Sequence, residues 1–221
     1  MSGTTITACG TLVLLASSIC ARAADLSLMI VNHDGSGVGE VVVTAMPAAA
    51  GTASAAAPAP KRAIMDQRNL TFTPRVLVVA AGTSVEFPNS DSVSHQVYSF
   101  SPAKRFQLPL YKGEIHPPVV FDRAGLVVLG CNIHDSMVGY IYVTDAPYFG
   151  TTEAGGGLQL KGLPGGDYRI TIWSPFITDA PASLLRTVHV DGNENATLRM
   201  QLGLPLRARP EPQPRRRDWE Y

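Results

Sequence analysis

The sequence predicts an all-β protein made of sandwiches, and three observations carry that expectation. Short runs rich in Val, Ile, Tyr, Phe and Thr recur from residue 62 to about 145, punctuated by Gly82, Pro88 and Gly125. Apolar and polar residues alternate with period two in Leu158/Leu160 and Tyr168/Ile170/Ile172. No amphipathic helical period of useful length occurs anywhere in the 221 residues.

The first 23 residues read as an export signal. The apolar run "ACGTLVLLASSIC" precedes Ala21-Arg22-Ala23, an A-x-A cleavage site just ahead of Ala24, and it is too short to span a bilayer. No membrane span is expected after signal cleavage, and the mature chain is expected in the periplasm or outside the cell. Cys9 and Cys20 leave with the signal, so Cys131 remains the only thiol and no intramolecular disulfide can form. A lone thiol in an oxidising compartment is either a buried small hydrophobe or committed to a metal.

Residues 24–46 contain strand, Gly-rich turn and strand: 25–31 and 40–46 flank "HDGSG". Residues 47–60, "PAAAGTASAAAPAP", are a linker or long surface loop, because Ala, Pro and Gly at that density build no core. Residues 61–145 form the first sandwich. Residues 146–203 supply further strands, with 146–150 as a connector and "LPGGDY" as a tight turn. Residues 204–221 hold most of a segment with five Arg and four Pro and no apolar periodicity, which reads as a disordered basic tail.

Charge excludes some partners. Lys plus Arg and Asp plus Glu both number 18, so nothing in the balance favours nucleic acid or an anionic membrane. Hydrolase signatures G-x-S-x-G and H-E-x-x-H are missing, and no catalytic role is expected.

The chemistry concentrates in "LGCNIHDSMVGYIYV", residues 129–143. Cys131, His134 and Met137 recur every third residue, a spacing that also fits one helix face. The flanking "GLVVLG" and "GYIYV" are strands by residue type, so "CNIHDSM" is the loop joining them and can curl its ligands around one point. A fourth donor comes from elsewhere, and His95, after the turn-rich "PNSDS", is the best placed. His33 lies in a turn, His189 alternates outward, and His116 ahead of Pro117-Pro118 is a reserve; all three read as surface histidines. One thiolate, two imidazoles and a thioether make a soft three-plus-one set, with Met137 as the weak axial member. Such a set favours copper over zinc, calcium or magnesium.

With these residues in place, residues 62 to 145 resemble a cupredoxin, the small Greek-key blue-copper sandwich. The opening pattern is carried by Phe72, Pro74, Leu77, Val79, Gly82, Thr83, Val85, Phe87, Asn89 and Asp91, followed by His95. The closing C-x-x-H-x-x-M is the short ligand loop of amicyanins. The resemblance implies one type 1 copper per chain, one-electron transfer, and a redox partner: a dehydrogenase, a cytochrome or an oxidase. Where the family commonly places Asn after the first histidine to brace the ligand loop, this chain has Gln96, with Asn89 upstream and Asn132 after the cysteine as alternative outer contacts. Asp135-Ser136 replaces an apolar rim, which implies a more polar docking surface.

The flanking segments resemble the two halves of a carboxypeptidase regulatory-like (transthyretin-type) sandwich. "DGSGVGEVVV" opens one half and "GGLQLKGLPGGDYRITIW" continues the other. That resemblance implies a copper domain inserted between them. Exported proteins labelled methylamine utilization proteins are similar in organisation. Two other functions remain open at this level: copper binding and delivery in the periplasm, and a structural or assembly role for the sandwiches.

Overall fold

The computed structural model describes residues 23–49, 61–113 and 116–209; the side chains of 182 and 183 are outside the description. Residues 1–22, on which the expected export signal falls, most of the Ala/Pro segment and residues 210–221 lie outside the described residues.

In chain order the strands begin with β1 (Ala23–Val31) and β2 (Val42–Pro47). Then come β3 (Arg62–Ile64), β4 (Asp66–Arg68), β5 (Thr71–Thr73), β6 (Val76–Ala80), β7 (Thr83–Glu86), β8 (Tyr98–Ser101) and β9 (Lys104–Gln107). They are followed by β10 (Val119–Phe121), β11 (Gly125–Gly130) and β12 (Val138–Thr144). The last group is β13 (Tyr148–Thr151), β14 (Gly157–Pro164), β15 (Gly166–Trp173), β16 (Leu185–Val190) and β17 (Ala196–Gln201). One short 3₁₀ turn, Pro181–Leu184, is the helical element among the described residues.

The chain is all-β and buries two separate cores. Strands β3 to β12 supply a three-stranded sheet, ordered β10-β7-β3, and a five-stranded sheet, ordered β6-β12-β11-β8-β9. Between them lie Phe72, Val79, Val85, Phe121, Val127, Leu129, Ile141 and Val143, all buried. Alternation explains the arrangement: Val127 and Leu129 point inward from β11 while Val128 between them is exposed. Gly82, at φ +87°, makes the tight turn from β6 to β7 that a side chain would resist.

The second core joins both ends of the chain. β1 lies between β14, antiparallel, and β17, parallel. The facing sheet is ordered β13-β2-β15-β16. Leu26, Leu28 and Ile30 from β1 pack with Val43 and Ala45 from β2, Leu160 and Leu163 from β14, and Tyr168, Ile170 and Ile172 from β15. β2 and β13 are antiparallel neighbours, with Ala45 opposite Tyr148, so everything from β3 to β12 occupies the place of a hairpin loop between them. The sandwiches meet at Trp173 of β15, whose ring lies 5.9 Å from that of Tyr140 and 5.5 Å from that of Tyr142, both on β12.

Two expectations need correction. Residues 146–150 are not a plain connector, because β13 begins at Tyr148 and completes a sheet edge. The tail does not become disordered at residue 204. Arg207 donates its backbone N–H to the Phe176 carbonyl at 2.8 Å, and Leu206 packs on the core. Arg209 lies over the Phe176 ring and within 3.2 Å of Glu40. Pro205 and the Arg stems are apolar enough to cover sandwich surface while their charged ends stay wet, a use of Arg that composition hides.

Candidate metal centre

The ligand loop is the turn of a hairpin. β11 and β12 pair antiparallel from Gly125 opposite Val143 to Gly130 opposite Val138, which leaves residues 131–137 to close the end. Inside the loop, the Met137 N–H donates to the His134 carbonyl at 2.9 Å. Both hairpin ends carry a glycine under an aromatic ring. A Cβ on Gly130 would sit 2.8 Å from the Tyr98 ring, and one on Gly139 would sit 2.8 Å from Phe72. These close approaches set Cys131 and Met137 into the core, where they are 3% and 1% exposed.

His95 reaches the loop from the lead-in to β8, the strand beside β11 in the same sheet. It stands three residues ahead of β8 and is held by a two-way backbone exchange with Tyr111: each N–H donates to the other's carbonyl at 3.0 Å. Tyr111 is anchored in turn, since its hydroxyl donates to the Phe87 carbonyl and accepts from Gln67 Nε2, both at 2.5 Å. Burial pushes that phenol up to about 12. Asn89 completes the brace by donating through Nδ2 to the Val93 and Tyr111 carbonyls, both at 2.9 Å.

The outcome is a buried cluster. Cys131 Sγ lies 3.8 Å from His95 Nδ1 and 3.7 Å from His134 Nδ1, and the three donor atoms fall within 4.8 Å of one another. The imidazole centroids are 4.9 Å apart with planes inclined at 63°. A metal bound through bonds of about 2.0 Å to nitrogen and 2.3 Å to sulfur, with 120° between them, needs N···S separations of about 3.7 Å. The observed spacing fits a trigonal N₂S set, so these residues can hold a soft or borderline ion. Met137 closes the same loop within the same apolar cluster.

Electrostatics reinforce the pairing. For Cys131, burial works to raise the thiol pKa, but contact with His95 and the Gln96 and Ile133 backbone N–H groups outweighs it, and the net shift is downward. For His95, burial works against the charged ring, yet Cys131 and Asp91 together raise its pKa. A thiol that deprotonates readily beside an imidazole is the state in which sulfur ligates metal.

The outer contacts differ from the sequence expectation. Gln96 does face the sulfur, but through its backbone N–H at 3.5 Å, a contact that is indifferent to the side chain. Asn132 is exposed. Asn89 serves the brace described above rather than the sulfur. Two roles went unassigned in the sequence: that of Tyr111, and that of Asp91, matched only as part of the opening pattern, whose Oδ2 accepts from His95 Nε2 at 2.9 Å. The i, i+4 spacing of Asp91 and His95 was the available signal. Of the remaining histidines, His33 and His189 are exposed. His116 is not a plain surface residue, because its ring packs edge-on against Tyr111 at 4.4 Å; it stands apart from the cluster.

Fold and site together define an all-β protein with a His-Cys-His group, two members buried and His134 partly so, able to hold a metal. No protein-family model and no curated protein matches the chain. Among solved structures, a purple cupredoxin from Nitrosopumilus maritimus is 26% identical, covering 37% of this chain and 99% of its own, with TM-score 0.34. A copper-containing nitrite reductase from Thermus scotoductus SA-01 is 30% identical over 45% of this chain and 25% of its own, with TM-score 0.35. A reduced amicyanin variant is 23% identical over 46% of this chain and 99% of its own, with TM-score 0.35.

Proposed function

We propose that the chain is an exported copper protein of cupredoxin type that carries single electrons, with one type 1 copper per chain. The observation that carries this reading is one sulfur standing 3.7 and 3.8 Å from two imidazole nitrogens in a water-poor core. A bound copper ion would supply the Cu(I)/Cu(II) couple. His95, Cys131 and His134 would hold it, with Met137 as a weaker fourth donor, a set in which soft sulfur suits Cu(I) and imidazole suits both states. The rigid hairpin and the braced His95 oppose rearrangement of the donors, which keeps the cost of exchanging an electron low.

His134 is the half-buried member, next to Ile133, 52% exposed, and the exposed Asn132 and Asp135. A redox partner, whether dehydrogenase, cytochrome or oxidase, docks at this end in the proposed reading, over a surface that mixes one apolar side chain with polar neighbours. Among the described residues no helix is long and apolar enough to cross a membrane. The second sandwich is proposed as a carboxypeptidase regulatory-like unit into which the copper unit is inserted, and the strand pairing of β1 and β2 with β13 to β17 supports that reading.

The test is the ultraviolet-visible spectrum of the copper-loaded, oxidised protein with voltammetry. An intense copper–thiolate band, lost in Cys131→Ser, with a reversible one-electron wave is the expected result. A colourless protein that takes zinc equally well overturns the reading. Rapid loss of Cu(I) to a weak chelator turns it into copper delivery.

A further inference from the structure

Asp91 stands behind His95 on the side away from the sulfur. Its Oδ2 accepts from His95 Nε2 at 2.9 Å and from the Leu70 backbone N–H at 2.8 Å. Leu70 is an unusual donor: with Asn69 it forms the two-residue turn between β4 and β5, and both adopt positive φ, +50° and +58° in chain order, a region non-glycine residues seldom enter. The β4-β5 hairpin thereby aims a main-chain N–H at a carboxylate. Asp91 is fixed from its own side too, because its N–H donates to Asn89 Oδ1 at 3.0 Å. The His95 ring is fully buried, and the Asp91 side chain is 14% exposed.

A carboxylate oxygen can only accept here, so His95 carries its proton on Nε2 and leaves the Nδ1 lone pair facing Cys131. A carboxylate on the far nitrogen also pushes electron density through the ring and makes the near nitrogen a stronger donor.

We propose that Asp91 is a positioning residue for the copper site, fixing the His95 tautomer and, by strengthening that ligand, favouring Cu(II) over Cu(I). This rests on the copper reading above and adds how the site's potential is set. Removing the charge while keeping an acceptor isolates the electronic effect, and Asp91→Asn does that. Loss of an outer partner of a metal-bound histidine weakens metal binding about 10–100-fold. The variant is expected to lose that factor for Cu(II) while Cu(I) affinity changes little, and each decade of difference raises the midpoint potential by about 59 mV.

The experiment measures Cu(II) and Cu(I) affinities by chelator competition and the potential by voltammetry for wild type and Asp91→Asn. It adds the nitrogen-15 and proton spectrum of the His95 ring in the wild-type Cu(I) protein. A higher potential in the variant, with a slowly exchanging Nε2 proton in wild type, is the expected result. Wild-type copper binding with an unchanged potential in Asp91→Asn overturns this inference alone; a wild type that takes up no copper overturns the functional reading and this inference with it. If Asp91→Asn fails to fold, the wild-type spectrum decides: an Nε2 proton in hydrogen-bonded, slow exchange supports the assignment, and a rapidly exchanging or missing one refutes it.

Discussion

Gly139→Ala is the sharpest test of how the ligand hairpin is seated. A methyl group built there lies 2.8 Å from Phe72 Cδ2 and 2.9 Å from its Cβ and Cγ, well inside ordinary contact. Because Phe72 Cβ is among the atoms met, no change of rotamer removes the overlap. The ring is 1% exposed and has nowhere to retreat. β12 cannot retreat either, since it is paired with β11 on one side and β6 on the other. Overpacking of this kind costs about 1–3 kcal/mol, and the absence of a rotamer escape places it toward the upper end. Loss of chain entropy in the unfolded state returns about 0.4–1 kcal/mol to any Gly→Ala change. A net loss of about 2 kcal/mol remains, which for a chain of this size lowers the melting temperature by about 4–8 °C. The assay is denaturant and thermal unfolding followed by circular dichroism, with Gly155→Ala beside it. Nothing lies within 4 Å of a Cβ at that exposed position. Equal midpoints and equal denaturant slopes for Gly139→Ala and wild type would refute the packing argument.

Trp173→Ala should loosen the two sandwiches, because it deletes both ring contacts between β15 and β12, each adding about 0.5–1.5 kcal/mol beyond simple burial. Calorimetry should then resolve two transitions where wild type shows more nearly one; an unchanged profile would count against the contact. Acid stability tests Asp66. Burial works to raise its pKa, but Arg68, Ser90 and the Gln67 N–H outweigh it and hold the carboxyl below the ordinary value. A folded pKa lower than the unfolded one means the contribution is present above the ordinary carboxylate range and disappears as pH falls through the folded value. Asp66→Asn should therefore be less stable than wild type at neutral pH, and the two should converge in acid.

The sequence carried the ligand loop well because two strands of unmistakable residue type leave only seven residues between them, and a hairpin end has few ways to arrange seven residues. His95 was legible by elimination among five histidines. What holds His95 was not. Tyr111 and Asp91 act through backbone exchange and a hydrogen bond to the far ring nitrogen, and neither leaves a periodic trace. Gln96 shows the converse: the position next to the histidine does matter to the sulfur, but through an amide that every residue except proline supplies. The docked stretch 204–209 escaped notice because Pro and Arg rarely build a core, while a finished surface can still accept them as a cover.

The placement of β1 has a consequence for biosynthesis. Leu28 pairs with Leu158 and Leu198, partners that leave the ribosome long after it. β3 to β12, by contrast, find all their sheet partners among themselves. The inner sandwich can close while the outer one is still short of its last strands, and its closure brings Pro47 and Tyr148 toward each other, reducing the span the late strands must bridge. A chain stalled before β17 is expected to hold a finished metal pocket on an open, sticky sheet, and in that state it is a client for chaperones.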